Sequence, residues 1–186
     1  MTGPARSRPT KAELVEAYGK KVPDVIGPGL EVLFCGINPG LYSGAVGHHF
    51  ARPGNRFWRA LHAGGFTSEV LSPFDEKELL PLGLGITNLV ERATARADEL
   101  SGDELVAGAR RLRRKASRHS PRVIAFLGLS AYRAAFGVPG AVVGPQDQTV
   151  GCSRTWLLPN PSGLNAHYQL PDLGRVFGEL RDSAGL

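Results

Sequence analysis

Short apolar segments of strand length alternate with helical patterns along most of this chain. The apolar segments comprise residues 30–35, 84–89, 123–127 and 156–158. Between and after them, helices are predicted at residues 55–61, 76–80, 103–116, 130–136 and 172–180. Strands that are apolar along their whole length have both faces buried, and strands separated by helices are typical of parallel sheets. We therefore predict an α/β fold in which helices cover both faces of a mostly parallel sheet.

Length and cysteine content indicate one domain without a structural metal. The 186 residues suffice for one sizeable hydrophobic core, which we assign to residues 13–186, and the basic segment 1–12 is expected to be flexible. The two cysteines, Cys35 and Cys152, belong to no cluster with metal-ligand spacing. This excludes an intrachain zinc site, a four-thiolate iron–sulfur cluster and a disulfide framework, and we expect neither a metal nor another cofactor.

The charge of the chain favours a polyanionic partner. The formal net charge is +5 at pH 7, and basic side chains are concentrated on the helix predicted at residues 103–116. Its Arg110, Arg111 and Arg114 are candidates for contacts with phosphates, although a solvated helix face would have the same composition. No segment is long and apolar enough to span a bilayer or to form the core of a signal peptide. A cytoplasmic protein without a membrane partner is therefore expected. We also expect a monomer.

Two loops carry the candidate chemistry. The first follows Cys35, begins Gly-Ile-Asn-Pro-Gly and extends to Gly54; the second follows Leu158 and contains Pro-Asn-Pro-Ser-Gly-Leu. In parallel sheets, ligands bind outside the carboxyl ends of the strands, and both loops follow predicted strands. Each motif alone is compatible with an ordinary turn. Two such loops at one sheet edge favour a shared site, and the first is long enough to be a binding loop.

Several side chains in these loops have both a functional and a structural interpretation. Asn38 could orient water or a substrate amide, and the ring of Phe50 could stack on a flat ligand, although core packing is the commoner use of phenylalanine. An exposed Leu164 on a stiff loop fits a wedge entering a base stack. The adjacent His48 and His49 lack a third ligand, so we interpret them as loop polarity.

Taken together, three segments resemble the mismatch-specific uracil/thymine DNA glycosylases, the Mug family of the uracil-DNA glycosylase superfamily. The similarity extends over nearly all of residues 29–180. Its segments are Phe-Cys-Gly-Ile-Asn-Pro-Gly-Leu-Tyr-Ser at 34–43, continuing to Phe50 and Asn-Arg-Phe-Trp at 55–58, then Gly-Ile-Thr-Asn-Leu-Val at 85–90, and Leu-Pro-Asn-Pro-Ser-Gly-Leu at 158–164. The resemblance implies a three-layer α/β/α sandwich. It also implies a monofunctional glycosylase of base excision repair that needs no metal.

The resemblance further implies the substrate and the role of each residue. Uracil, or a related lesion such as ethenocytosine or thymine, would be flipped out of a mispair with guanine in double-stranded DNA, and its N-glycosidic bond hydrolysed. Asn38 would position the water. Ser162, Gly163 and Leu164 would form the wedge that fills the vacated space. The pocket for the flipped base would be lined by Ile37, Ser43, Phe50, Asn88 and Asn160.

Two features depart from the family pattern. Asn165-Ala166 replaces the Ser-Arg pair that follows the wedge leucine, so an arginine that would plug the base stack is missing. We therefore expect a weaker preference for guanine opposite the lesion. A carboxylate would activate water better than an amide, and Asp98 is the candidate supplementary base, although a solvated or helix-capping role is the commoner one for an aspartate in a polar loop.

Two other functions are compatible with parts of the sequence. A module that binds damaged DNA without turnover could use the same pocket, because asparagine is a weak base and the plug arginine is missing. A nucleotide-binding α/β enzyme is disfavoured, because the chain contains no phosphate-binding loop of either common pattern.

Overall fold

The computed structural model describes residues 8–186, which form a five-stranded sheet of order β2-β1-β3-β5-β4. The strands are β1 Val32–Gly36, β2 Leu84–Asn88, β3 Val123–Leu127, β4 Gly144–Val150 and β5 Ser153–Leu158. The β2-β1, β1-β3 and β3-β5 pairs are parallel, and only the edge strand β4 is antiparallel to its neighbour. The predicted α/β architecture with a mostly parallel sheet is thus confirmed.

Helices form a layer on each face of the sheet, giving three layers. The helices are α1 Lys11–Glu16, α2 Leu41–Val46, α3 Phe57–Ala63, α4 Gly102–His119, α5 Leu129–Phe136 and α6 Leu170–Ala184, with 3-10 segments at Pro73–Leu82 and Ala97–Glu99. Helices α3 and α6 pack together on one side, and α4 and α5 on the other. No helix within residues 8–186 is long and apolar enough to cross a membrane.

Successive side chains of a strand point to opposite faces of the sheet, so a hydrophobic core forms on each face. One helix layer covers each core. On the α3/α6 side, the ring of Phe34 packs edge-on against Phe57 and Phe66 and stacks on Phe177, with centroid separations of 5.4, 5.4 and 5.9 Å. On the α4/α5 side, Phe126 packs against Tyr132. The buried strands therefore form a rigid support for the loops at their carboxyl ends.

Three details differ from the sequence-based expectations. The first long loop contains a helix, α2, so it is not devoid of secondary structure. Strand β4 was not predicted because its sequence, Gly-Pro-Gln-Asp-Gln-Thr-Val, is polar and mostly exposed, as an antiparallel edge strand allows. Helix α1 begins at Lys11 behind a Thr10 cap, so the end of the segment expected to be flexible is helical. Residues 1–7 of that segment lie outside the described residues.

Candidate active site

A cavity of about 650 Å³ opens at the carboxyl edge of the sheet, between the loops that follow β1 and β5. Polar groups from both loops converge on it, as expected for a ligand site. Of the residues predicted for the site, the cavity is lined by Ile37, Asn38, Ser43, Phe50, Asn88, Asp98, Asn160, Ser162 and Leu164. Gly163 lies beside it and packs on the loop at Gly54, whose carbonyl oxygen would be 2.9 Å from a Cβ at position 163.

The side-chain amide of Asn38 is held in one orientation. Its Nδ2 donates to the Arg92 carbonyl at 3.0 Å and to Thr94 Oγ1 at 2.7 Å. Both amide hydrogens are thereby used, and Oδ1 remains without a protein partner in the described part of the chain. Thr94 is itself fixed, because its hydroxyl donates to the Arg96 carbonyl at 2.7 Å. Asn38 therefore offers the cavity a hydrogen-bond acceptor.

Asn160 is oriented in the opposite sense. Its Oδ1 accepts the backbone N–H of Ser162 at 2.9 Å, which closes a turn of the second loop. Its Nδ2 has no protein partner among residues 8–186 and is the donor that this side chain can offer to the cavity. The two loops thus contribute an acceptor from one asparagine and a donor from the other.

The ring of Phe50 forms an aromatic surface in the cavity. It stacks on the buried Phe57 with a centroid separation of 4.1 Å and an interplanar angle of 26°. Its backbone φ of 51° lies in the left-handed region, which is costly for an aromatic residue and persists only where the surroundings hold the backbone in place. Gly36 lets the ring approach the strand, because a Cβ there would be 3.2 Å from Phe50 Cζ and 2.6 Å from Asn88 Oδ1.

A buried polar network fixes Asn88 behind this ring. His49 Nε2 donates to the Pro23 carbonyl at 2.9 Å, so its Nδ1 is the acceptor for Asn88 Nδ2 at 3.3 Å. The Glu76 carboxylate accepts the backbone N–H of His49 at 2.8 Å and Nδ1–H of His48 at 2.9 Å. Burial lowers the pKa of His49, and the nearby Glu76 charge only partly offsets this. His49 is thus held as the neutral Nε2–H tautomer.

The buried His49 should make the free energy of unfolding fall in mild acid. The pKa of His49 in the folded protein lies below its unfolded value of about 6.5, so the unfolded chain takes up the proton first. Stability is unaffected above that value and declines as the pH falls from there toward the folded pKa. The free energy of unfolding, measured by chemical denaturation, should therefore depend less steeply on pH in His49→Gln than in the wild type. Between pH 7.5 and 5.5 we expect this pH slope to differ by up to about 1.4 kcal/mol per pH unit.

The exposed His167 provides the matched control, because its substitution should leave the wild-type slope unchanged. Equal slopes for the wild type and His49→Gln would contradict the assigned protonation state.

The loop after β5 presents Leu164 to solvent. Its side chain is 80% exposed, although leucine is normally buried. Hydrogen bonds within the loop hold this position: the N–H of Leu164 is 3.3 Å from Ser162 Oγ, and the N–H of Asn165 is 3.0 Å from the Ser162 carbonyl oxygen. The leucine therefore projects from an ordered turn at the rim of the cavity.

The sequence and the fold of the chain are similar to those of known proteins. The model of the family described as the uracil DNA glycosylase superfamily matches residues 23–181. The chain belongs to the uracil DNA glycosylase superfamily. Its fold is similar to the solution NMR structure of a candidate uracil DNA glycosylase from Methanosarcina acetivorans, with a TM-score of 0.55 at 20% sequence identity over 88% of this chain and 98% of that one.

Membership in this superfamily implies a DNA glycosylase that acts on uracil, a hydrolase of N-glycosyl bonds in DNA repair. The fold places the cavity where parallel sheets bind ligands. Within residues 8–186, no group of three or more His, Cys, Asp or Glu side chains could hold a metal ion. The Cys35 thiol is buried, and its burial raises its pKa, so it is not a reactive group of this glycosylase.

Asp98 lies at the rim of the glycosylase cavity rather than in its depth. Its side chain is 64% exposed, and its two oxygens accept from Arg96 Nε at 3.0 Å and Nη2 at 2.6 Å. The hydrogen bonds from Arg96 lower the pKa of Asp98. A carboxylate held in this way is a weaker proton acceptor than a free one.

The basic helix of the glycosylase is separate from its cavity. Arg110, Arg111 and Arg114 lie on α4, and none of them lines the cavity. Arg110 and Arg114 are exposed, whereas Arg111 is half-buried and its Nη2 is 3.5 Å from the Leu89 carbonyl. The cavity rim carries its own cations, the exposed Arg52 and the Asp98-bound Arg96.

Three residues that organise the site were not predicted from the sequence: Thr94, His49 and Arg56. Thr94 is 1% exposed, and nothing in its local sequence indicates that it receives the Asn38 amide. His49 was interpreted as loop polarity, but it is buried against Asn88. Arg56 lies where the sequence predicts the start of a helix, but its partners are in the loop after β5, 105 to 112 residues further along the chain. A buried arginine or histidine cannot be recognised from spacing alone, because its partners are backbone carbonyls.

Proposed function

We propose that the protein is a mismatch-specific, monofunctional uracil-DNA glycosylase of base excision repair. Its substrates would be uracil and related lesions, such as ethenocytosine and thymine, mispaired with guanine in double-stranded DNA, and its product an abasic site. The observation that carries this proposal is the pair of oriented asparagines, with Asn38 offering an acceptor and Asn160 a donor to one cavity.

The target base must leave the duplex before its glycosidic bond can be reached. A G·U mispair is weaker than a normal pair, so flipping its uracil costs less. The flipped base would enter the cavity and stack on Phe50, with the backbone of Ile37 and the amide of Asn88 at its polar edge. Ser43 is 5% exposed, and its Oγ accepts the N–H of Ala51 at 3.1 Å, which places it at the wall beside Phe50.

Hydrolysis then requires a water on one side of the sugar and a stabilised base anion on the other. The C1′–N bond breaks with its electron pair on the base, the sugar gains positive charge, and the water oxygen forms the new bond to C1′. The proton that this water loses passes through solvent to the base anion, which leaves as the neutral base. Asn38 Oδ1 would orient that water and accept a hydrogen bond from it. An amide is a weak base, so catalysis would rest mainly on preorganised electrostatics.

The departing base would be met by a donor. Asn160 Nδ2 is free of protein partners in the described chain, and its Oδ1 is held by Ser162, so the amide cannot turn an oxygen toward the anion without losing that bond. A donor placed where negative charge develops lowers the barrier most effectively in a site that excludes water. We assign no proton transfer to Asp98, because its carboxylate is bound to Arg96.

Leu164, with Ser162 and Gly163, would occupy the space that the base vacates, and cations would contact the DNA backbone. Arg52 at the rim is the nearest candidate for a phosphate, and Arg110, Arg111 and Arg114 of α4 form a second candidate surface. Phosphate contacts of this kind make affinity fall with added salt.

A panel of duplexes that varies both the lesion and the opposite base tests the proposal under single-turnover conditions. We expect abasic sites from G·U and from ethenocytosine opposite guanine, with slower release of thymine. Because Asn165-Ala166 replaces the plug arginine, we also expect measurable cleavage of A·U. Tight binding of G·U duplex without abasic product at high enzyme concentration would contradict catalysis and favour a damage-binding module.

A further inference from the structure

The guanidinium of Arg56 is buried inside the loop that carries Leu164. Arg56 is 8% exposed and precedes the first turn of α3. Its side chain donates to four carbonyl oxygens of that loop, those of Pro161 at 3.5 Å, Ser162 at 2.5 Å, Asn165 at 2.8 Å and Tyr168 at 2.5 Å. Its backbone N–H also donates to the Pro161 carbonyl, at 3.0 Å. The loop is therefore wrapped around one cation.

Within the described part of the chain, this cation has no carboxylate partner. Among residues 8–186, the ion pairs of the structure do not include Arg56. A buried charge is tolerated only where hydrogen bonds replace its hydration, and here backbone carbonyls alone do so. The loop must keep these carbonyls converging on the guanidinium, because any rearrangement would leave the charge without partners.

The remaining contacts of the loop reinforce the same shape. The Asn165 side chain donates from Nδ2 to the Asn160 carbonyl at 3.0 Å and accepts the N–H of His167 at 3.1 Å. Gly163 lies against the carbonyl of Gly54, which is two residues before Arg56 in the sequence. A Cβ at position 163 would be 2.9 Å from that carbonyl oxygen. Asn165, one of the departures from the family pattern, thus bridges both sides of the turn that presents Leu164.

We propose that Arg56 is a positioning residue that holds the Leu164 loop in its DNA-inserting shape before DNA is bound. This inference rests on the proposed function, because it assigns the loop to a wedge. Ordering a flexible loop on binding costs conformational entropy, and a loop ordered in advance avoids that cost. In a chain without the plug arginine, the preformed turn would supply the rigidity needed to push a base from the stack.

Arg56→Lys is the informative variant. Lysine keeps the positive charge, but its single ammonium cannot reach four separated carbonyls as the planar guanidinium does. The matched control is Arg59→Lys on the same helix, because Arg59 is exposed. Amide hydrogen exchange of residues 162–168 should be at least about tenfold faster in Arg56→Lys, owing to the lost hydrogen bonds. Exchange in the β1 and β3 amides should match the wild type, which establishes that the domain is folded.

Excision rates on two substrates test whether the order of the Leu164 loop matters for its action as a wedge. For uracil opposite guanine in a duplex, single-turnover cleavage by Arg56→Lys should be slower by roughly 10- to 100-fold, as expected for a misplaced positioning group. Uracil in a single strand is already unpaired, so its cleavage should change by less than about threefold, because no wedge is needed. Arg59→Lys should resemble the wild type in every measurement.

Three results would overturn the inference: unchanged exchange of the loop, unchanged duplex cleavage, or an equal loss on both substrates, which would assign Arg56 to the pocket instead. Exchange is measured on the free protein. A wild type that excises nothing would therefore reject the proposed function, whereas the exchange data would still test whether Arg56 orders the loop. If Arg56→Lys fails to fold, Arg56→Gln replaces it, with neutral donors and the same measurements.

Discussion

Replacement of Asn38 by alanine is expected to slow single-turnover excision of uracil from a G·U duplex by roughly 10²- to 10⁴-fold, the range for loss of a group that orients and accepts from the attacking water. The amide is fixed by the Arg92 carbonyl and by Thr94, and alanine offers no acceptor at this position. Affinity for the duplex should change little, because the side chain acts on water and not on the DNA.

Asp98→Asn is the matched control for this prediction. Both side chains line the same cavity, but the Asp98 carboxylate is bound to Arg96 and is largely exposed. We expect the cleavage rate of Asp98→Asn to remain within about threefold of the wild type, since removing a working general base would cost far more. A large loss in Asp98→Asn together with a small one in Asn38→Ala would reverse the two assignments.

Most of the fold could be predicted from the sequence, because buried parallel strands are apolar along their whole length. The segments 123–127 and 32–36 have no need of a polar face, so composition alone reveals them. Strand β4 has one exposed side and an irregular register against β5, and its glutamines give no comparable signal. Helix α2 was not predicted, because its N-cap residue, Gly40, has no side chain with which to cap Leu-Tyr-Ser-Gly-Ala-Val.

The residues of the candidate site also fall into those that the sequence could predict and those that it could not. Asn38 and Asn160 lie in loops that directly follow strands, so the topology of a parallel sheet brings them to one edge. Thr94, His49 and Arg56 act through backbone carbonyls and amides that are distant in sequence, and no pattern of residue types encodes such partners. Which atom of each asparagine faces the cavity also follows only from the three-dimensional hydrogen bonds.

Phe50 is the residue for which the sequence allowed two roles, and the structure combines them. One face of the ring packs on Phe57, which belongs to the core, and the ring also lines the cavity. Its left-handed backbone requires stabilisation from the surroundings, which the Phe57 stack and the hydrogen bond from the Ala51 N–H to Ser43 Oγ provide. The core therefore holds an aromatic surface at the position where a flat base would lie.

Phe50→Leu should accordingly slow excision by roughly 5- to 150-fold, because stacking of a base on an aromatic ring contributes about 1–3 kcal/mol. Leucine keeps an apolar side chain against Phe57 but removes the flat surface. Stacking does not depend on the pattern of donors and acceptors, so the loss should be similar for uracil and for ethenocytosine opposite guanine. Single-turnover rates for the two lesions measure it.

Phe136→Leu separates this effect from a general loss of packing. Phe136 stacks on Tyr132 in α5 and does not line the cavity, so the same substitution there should lower the melting temperature while the excision rate remains near that of the wild type. If Phe50→Leu lowers the melting temperature as Phe136→Leu does but excises both lesions at the wild-type rate, the ring belongs to the core alone. A loss confined to one lesion would instead indicate that Phe50 shapes the pocket wall, because a stacking surface affects every flat base.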